Sequence, residues 1–375
     1  MQAVILVGGR GTRLRPLTST VPKPVVQLVD RPFIAYMLEW LSGHGIDDVV
    51  MSCGFLADTV RDVLGDGSAF GLRLRYVEEP EPRGTAGAVK LAEPILEDRF
   101  LMLNGDVLTD IDLGAQIAQH EATGARATLA LVKVPDPSSY GMVLLKDDQS
   151  VEAFIEKPSA NGAAGSVDPS RTGGALISAG AYVLEREILD LVPPEGNVSI
   201  EREVWPRLVG EGLYGYASES YWMDIGTPQR YLEGTFDIIE GNVKTAVSER
   251  LSVGWARIAP DVELDGRVIP PAIVEAGAKI AAGAHVGPLV VLSENVTIGA
   301  NSTVERAVIL PGSQVAEGCE LRDCIVGPRC QIGSGSKVTA GAVLGEGVSL
   351  GADNVITRGA RIFPGVHLPD GAIEF

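Results

Sequence analysis

Cysteine is scarce in this 375-residue chain: there are four, too few for the disulfide scaffold of a small secreted domain. Cys319, Cys324 and Cys330 lack the paired Cys-x-x-Cys spacing with nearby histidines that a zinc site needs, so they read as small buried residues. Long apolar runs are missing too. None approaches the roughly eighteen residues that cross a bilayer, and Met1 leads into an apolar strand rather than a charged leader, so a cytoplasmic location is expected. Positive charge is short overall, with a net charge of -18 and a pI near 4.7, which argues against nucleic acid or an anionic membrane as partner. With 45% hydrophobic residues the chain can bury large cores, and its length suggests two domains or more.

One local absence reverses the charge. An even spread of the 49 acids would put roughly four in the first 29 residues, yet none occurs there, while Arg10, Arg13, Arg15 and Lys23 do. Val4 to Val7 reads as a buried strand, and Gly8, Gly9 and Gly11 then let the backbone turn so that bare N–H groups face an anion. Two common phosphate motifs fit poorly. The Walker loop needs Gly-Lys-Ser/Thr, which is absent, and the dinucleotide fingerprint needs a glycine where Leu14 stands. Asp30 lies near the usual distance of a ribose-binding acid, but Pro16, Pro22 and Pro24 forbid the helix that would have to intervene.

From Met1 to about Leu232, short apolar strands alternate with amphipathic helices, which predicts an α/β domain with a largely parallel sheet. Strands are expected at Ala3 to Val7, Asp48 to Ser52, Leu72 to Glu78, Arg99 to Leu103 and Ala127 to Val134. Helices are expected at Phe33 to Ser42, Ala57 to Leu64, Thr85 to Leu91 and Leu113 to Thr123, the last led by Asp112 as N-cap. A later helix, Pro228 to Glu240, carries proline in its first turn and ends before Gly241. Beyond Val253 the period becomes six: Val262, Val268, Val274, Ile280, Val286, Leu292, Ile298, Val304 and Leu310, then, after a frame break, Ile332, Val338, Leu344, Leu350, Ile356, Ile362 and Leu368. A triangular coil with one inward aliphatic residue per face has this period, and the segment is long enough for about six stacked turns. The break near Leu310 to Cys330 is expected to hold a loop or bulge. The division follows as residues 1–235, a connector at 236–252, and a repeat domain at 253–375.

In a parallel sheet, ligands sit beyond the carboxyl ends of strands. Asn104-Gly105-Asp106 follows one such strand, where a hard carboxylate oxygen would suit Mg²⁺ on a nucleotide, although this tripeptide is also a common turn. Asp110 and Asp112 read as helix-leading residues. Asp224 lies in the aromatic, apolar stretch Tyr221 to Pro228, where burying an acid is costly without a cation or donor, and a solvent-facing turn is the competing reading. Glu156 and Lys157 end another strand, as a possible hydroxyl acceptor and phosphate-binding cation or as an ordinary solvated pair.

Taken together, Gly8-Gly9-x-Gly11-Thr12-Arg13-Leu14-x-Pro16-Leu17-Thr18, Pro22-Lys23-Pro24, Asn104-Gly105-Asp106, Glu156-Lys157-Pro158 and Trp222-Met223-Asp224-Ile225-Gly226 resemble the sugar-nucleotide pyrophosphorylases over essentially the whole chain. The resemblance implies a Rossmann-like nucleotidyltransferase domain followed by a left-handed parallel β-helix of hexapeptide repeats. Glu78-Glu79-Pro80, Gly84-Thr85-Ala86-Gly87 and Ser199 to Pro206 are most similar to the mannose-1-phosphate guanylyltransferases. Relatives that use thymidine or uridine nucleotides carry glutamine five residues before the glycine, where this chain has Glu79. A carboxylate can accept the adjacent N1–H and N2–H of guanine, whereas a uracil-type edge suits an amide.

The implied reaction is in-line attack of a sugar 1-phosphate oxygen on the α-phosphorus of GTP, with pyrophosphate leaving. Arg13, Leu6, Gly8, Gly9, Gly11, Thr12, Glu79, Gly84 and Thr85 would hold the nucleotide, and Lys23 would neutralise charge at the α-phosphate. Asp106 and Asp224 would hold Mg²⁺, while Gly141, Glu156, Lys157 and Ser178 would bind the sugar phosphate. Ser178-Ala179-Gly180-Ala181-Tyr182 departs from the family's Asn-Ala-Gly-Ile/Leu-Tyr, so glucose 1-phosphate with dTTP or UTP stays open as an alternative. A catalytically silent regulatory subunit is a further alternative. An acyltransferase is a third, although His285 and His367, the histidines of the hexads, have no lysine and arginine cluster beside them. The regular, flat coil faces suggest a homo-oligomer.

Overall fold

The computed structural model describes residues 1–54, 56–137, 140–155, 175–251 and 256–373. The chain forms two compact units, each built from two stretches: Met1–Gly9 with Met37–Trp222, and Arg10–Tyr36 with Met223–Phe375. The linear reading places residues 10–36 with the first domain, whereas here they belong to the unit that contains the repeats.

In the first unit the strand Gln2–Leu6 lies between Asp48–Cys53 and Arg99–Asn104, all parallel, and Arg73–Glu78 extends the parallel set. Ala3, Val4 and Ile5 are fully buried, as a strand covered on both faces requires. The far half of the sheet is mixed. Ala175–Glu185 runs antiparallel to Arg99–Asn104 and to Ala127–Val134, and Leu213–Ser218 pairs in parallel with the latter. The helix Leu113–Thr123 starts where Asp112 Oδ1 accepts the Ala115 N–H at 3.0 Å, and it stops at the left-handed Gly124. Asp110 does not share that capping role. Its Oδ1 accepts the Tyr221 N–H at 2.8 Å instead.

The second unit holds the helix Pro228–Glu240, capped by Thr227 and closed by the left-handed Gly241, and then the short helix Ala246–Leu251. The repeats form a parallel β-helix. One face is a seven-stranded parallel sheet in which Ile280 stacks on Ile298, and Ile332 on Leu350, eighteen residues apart.

The frame break is neither a loop nor a bulge. Ile298 stacks on Val315 and Val315 on Ile332, seventeen residues apart, so two successive coils are each one residue short. The shortening falls within the strands Thr303–Ile309 and Glu320–Val326, where Val304 to Ile309 and Leu321 to Val326 are five-residue steps. Ile309, not Leu310, therefore joins the coil core. Arg306 and Asp323 turn these tight corners with φ of 49° and 48°, and an ion pair of 2.7 Å joins them. Removing one corner residue lets each strand run on into the next face, so two faces merge into one eleven-stranded sheet. The helix Pro228–Glu240 packs on these two long strands, with the Arg306 guanidinium 4.9 Å from the Phe236 ring centroid.

Residues 10–36 are tied to the same unit by side chains. Tyr231 OH donates to Gln27 O at 2.6 Å, Gln27 Nε2 to Ser293 Oγ at 2.9 Å, and Arg257 pairs with Asp30 at 3.1 Å. Asp30 is thus a structural ion-pair partner. All four cysteines are free and buried. Cys319 and Cys330 donate to Gly333 O and Gly345 O, the same corner role that Ser302, Ser313 and Ser336 perform. His285 and His367 are exposed. Among the described residues no helix is long and apolar enough to cross a membrane.

Candidate active site

In the first unit, the carboxyl ends of adjacent parallel strands bring several expected residues together. Leu6 pairs with Asn104. Gly105 N–H donates to Leu6 O at 3.0 Å, and a Cβ on Gly105 would lie 2.6 Å from Val7 Cγ1. Only glycine lets the turn pack this closely against the strand exit, and the next residue, the half-buried Asp106, is placed beside the start of the glycine loop.

Gly8 also has a close neighbour. A Cβ there would sit 2.9 Å from Glu79 Oε1, so the glycine admits a carboxylate rather than a positive φ. Glu79 is held firmly: Oε1 accepts the Ser52 hydroxyl at 3.2 Å and Oε2 accepts the Arg83 N–H at 3.2 Å. Gly84 follows with φ of 69°, and a Cβ on it would strike Val198 O at 2.6 Å. Thr85 Oγ1 donates to Glu201 and accepts the Ile200 N–H at 2.8 Å. Gly84 and Thr85 therefore dock the loop after Glu79 onto residues 197–201. Gly9 has open space where a Cβ would be.

Elsewhere in this unit Ser178 N–H donates to Gly141 O at 3.4 Å, so these two expected sugar-side residues are neighbours. The Ser178 hydroxyl is turned to Tyr182 OH at 3.0 Å. Gly180, at φ of 75°, packs on Asn104, and the Trp222 indole N–H donates to Ala179 O at 2.8 Å while its ring meets Tyr140 edge-on at 5.3 Å. Glu156 and Lys157 lie outside the described residues.

In the second unit the loop continues through Gly11, whose φ is 58° and whose Cβ would crowd Lys23 Cβ at 3.1 Å. Thr12, Arg13 and Leu14 make one 3-10 turn, with Leu14 as its buried anchor. Thr18 Oγ1 closes the loop onto Gly11 O at 2.7 Å. The prolines do exclude an α-helix here. Lys23–Val25 is a second 3-10 turn with proline near its start, and it buries Lys23 so that only 9% of the side chain is exposed.

Three cations converge on Asp224. Arg13 Nη2 lies 3.6 Å from Oδ2, Lys23 Nζ 3.7 Å from Oδ1, and Arg230 Nη1 4.0 Å from Oδ2. The Oδ1 atom is buried without a hydrogen-bond partner. A carboxylate left in this state among cations is suited to a bound cation or donor.

A nucleotidyl transferase domain model matches residues 2–241, well over half of the chain, and a model described as a GMPPB C-terminal domain matches residues 268–371. The chain belongs to the nucleotidyl transferase family. As a member it is an enzyme of nucleotidyl transfer. It is 36% identical over its full length, and over 98% of the relative, to a mannose-1-phosphate guanylyltransferase of Mycobacterium tuberculosis. It is 33% identical over 97% of its length, and 96% of the relative, to the mannose-1-phosphate guanyltransferase of Candida albicans. The crystal structure of HddC from Yersinia pseudotuberculosis, in a form complexed with GMP-PN, matches with a TM-score of 0.52 at 26% identity, covering 62% of this chain and 97% of that one. Two residues of this nucleotidyltransferase went unassigned from sequence. Gly226 sits within a motif, but its role needs the Arg13–Asp224 pair to be seen: a Cβ there would lie 2.8 Å from Arg13 Nη2 and 2.9 Å from Asp224 Oδ1. Arg230 is an ordinary helix residue until its distance to Asp224 is known.

Proposed function

We propose that this nucleotidyltransferase makes GDP-mannose and pyrophosphate from GTP and mannose 1-phosphate. The end-to-end similarity to mannose-1-phosphate guanylyltransferases carries this reading. The placement of Arg13 and Lys23 on either oxygen of Asp224 supports it. A sugar 1-phosphate oxygen attacks the α-phosphorus in line while pyrophosphate departs opposite, so catalysis is positioning and charge stabilisation without a covalent enzyme intermediate.

Each side chain is assigned a part. Arg13 and the amides of the glycine loop bind the triphosphate, and Lys23 offsets the negative charge that grows at the α-phosphate. Glu79 reads guanine by exchanging the Ser52 and Arg83 donors it now accepts for the two donors of the base edge. Lys157 binds the phosphate of the sugar, and Glu156 accepts from its hydroxyls.

The buried Asp224 Oδ1, which accepts no hydrogen bond, fits a hard cation such as Mg²⁺, and Asp106 is the second oxygen ligand assigned to it. Among the described residues no group of three or more acids, histidines or cysteines could hold a metal. Asp106 and Asp224 would hold the ion, which would supply charge neutralisation at the triphosphate. Self-association through the regular faces of the coil belongs to the same reading, and sedimentation equilibrium tests it.

The deciding experiment measures pyrophosphate release with GTP, ATP, UTP and dTTP against the 1-phosphates of mannose, glucose and glucosamine. GTP with mannose 1-phosphate should give the highest kcat/KM. A preference for dTTP or UTP with glucose 1-phosphate would overturn the assignment.

A further inference from the structure

We infer that Arg361, on the strand Arg361–Ile362 near the end of the coil, is a positioning residue that sets the nucleotide loop for reaction. Arg361 Nη1 donates to both Arg13 O and Arg15 O at 3.1 Å. Arg13 O lies within the 3-10 turn Thr12–Leu14 and Arg15 O just after it, so both hold the backbone from which the 67% exposed Arg13 side chain reaches Asp224. A second tether lies five residues along. Thr20 Oγ1 donates to Glu346 at 2.9 Å, and Glu346 is itself paired with Arg329 of the preceding coil. Thr18 closes the loop on Gly11. The loop is thus clamped at Gly11, at Arg13 and Arg15, and at Thr20, and the last two clamps come from the repeats.

This arrangement gives the β-helix a part in the chemistry. Gly11 lends the loop freedom, and without external donors its carbonyls would exchange among water partners and the guanidinium of Arg13 would wander. A guanidinium nitrogen with two N–H groups suits two carbonyls at once and keeps its charge at any working pH. Arg361 touches only the backbone of the loop, so it acts through Arg13 and not on the substrate.

The inference rests on the assignment of Arg13 to the nucleotide. It is tested with Arg361→Ala and Arg361→Lys in the full chain, by steady-state kinetics for each substrate and by thermal melting. Arg361→Ala should lower kcat/KM for the nucleoside triphosphate by about 10- to 100-fold, the usual cost of a small misplacement. KM for the sugar 1-phosphate should stay within about two-fold, and the melting temperature within about 2 °C, since the two hydrogen bonds lost are solvent-exposed. Arg361→Lys, whose ammonium can also donate to two carbonyls, should recover nucleotide kcat/KM to within about three-fold. Unchanged nucleotide kinetics in Arg361→Ala would overturn the inference. So would an equal loss toward both substrates, or a loss that tracks melting and is not recovered by lysine. If the wild type prefers another nucleotide to GTP, the substrate assignment fails, and Arg361 is judged by the same ratios with the preferred nucleotide. A wild type that releases pyrophosphate from none of the four overturns both.

Discussion

Lys23 Nζ lies 3.7 Å from Asp224 Oδ1, a buried oxygen that accepts no hydrogen bond. A charge pair at this distance offsets the charge of the carboxylate yet leaves one of its oxygens without a hydrogen bond. Pro22 and Pro24 on one side and Thr227 on the other make this possible, since each fixes the backbone within a few residues of the charged group.

Asp224→Asn should lower turnover by about 100-fold or more, because an amide is a poor ligand for a hard cation and leaves Lys23 and Arg13 without their counter-ion. Pyrophosphate release measures the loss, and circular dichroism should show the fold intact. Near-normal turnover would remove Asp224 from the metal site.

Gly226→Ala separates stability from activity. The added methyl meets Arg13 Nη2 and Asp224 Oδ1, and the guanidinium end of a flexible side chain can move aside at little cost to stability. Once moved, Arg13 no longer lies against Asp224. A melting temperature close to wild type with KM for GTP raised about ten-fold is expected, the scale of one lost charged hydrogen bond. Wild-type kinetics would show that the position of Arg13 does not matter.

Glu79→Gln should narrow the preference for GTP over UTP and dTTP by about ten-fold, the cost of replacing one matched hydrogen bond by a mismatched one. Competition between nucleotides in one assay reads this directly. An unaltered ranking means that Glu79 serves only to hold Ser52 and the Arg83 amide.

Glu275 gives a pH signature. Burial, followed by the nearby charges of Asp30 and Glu294, raises its pKa to about 7 from an ordinary 4.5. A raised folded value means that its contribution to stability is fully present below the unfolded pKa and is lost as pH rises through about 7. Glu275→Gln should therefore melt higher than wild type at pH 8, with the gap closing toward pH 4.5. A gap that is the same at every pH would disprove the titration.

The helices were legible because their signals are local. Asp112 leads one helix, Pro228 starts and Gly241 ends another, and such end signals need only residues within one turn. The glycine loop was legible as a sharp turn after a buried strand, but what surrounds its glycines was not. Gly8 faces Glu79, Gly226 of a later motif faces Arg13, and in each case the side chain that a Cβ would crowd comes from a distant part of the sequence.

The sequence by itself determined the strand that leads into a cationic glycine loop, the helices with their caps, and a coil of period six, since propensity, capping and hydrophobic period act over a few residues. Only the tertiary structure decided that two coils are one residue short, because a five-residue step becomes visible when Ile298 is seen stacked on Val315 and Val315 on Ile332. It likewise decided that the loop carrying Arg13 is held by Arg361, a contact between residues separated by 348 positions, for which no local pattern exists. Such contacts follow from stacking accumulated over the whole coil, where each added turn shifts the outward side chains that the loop can meet.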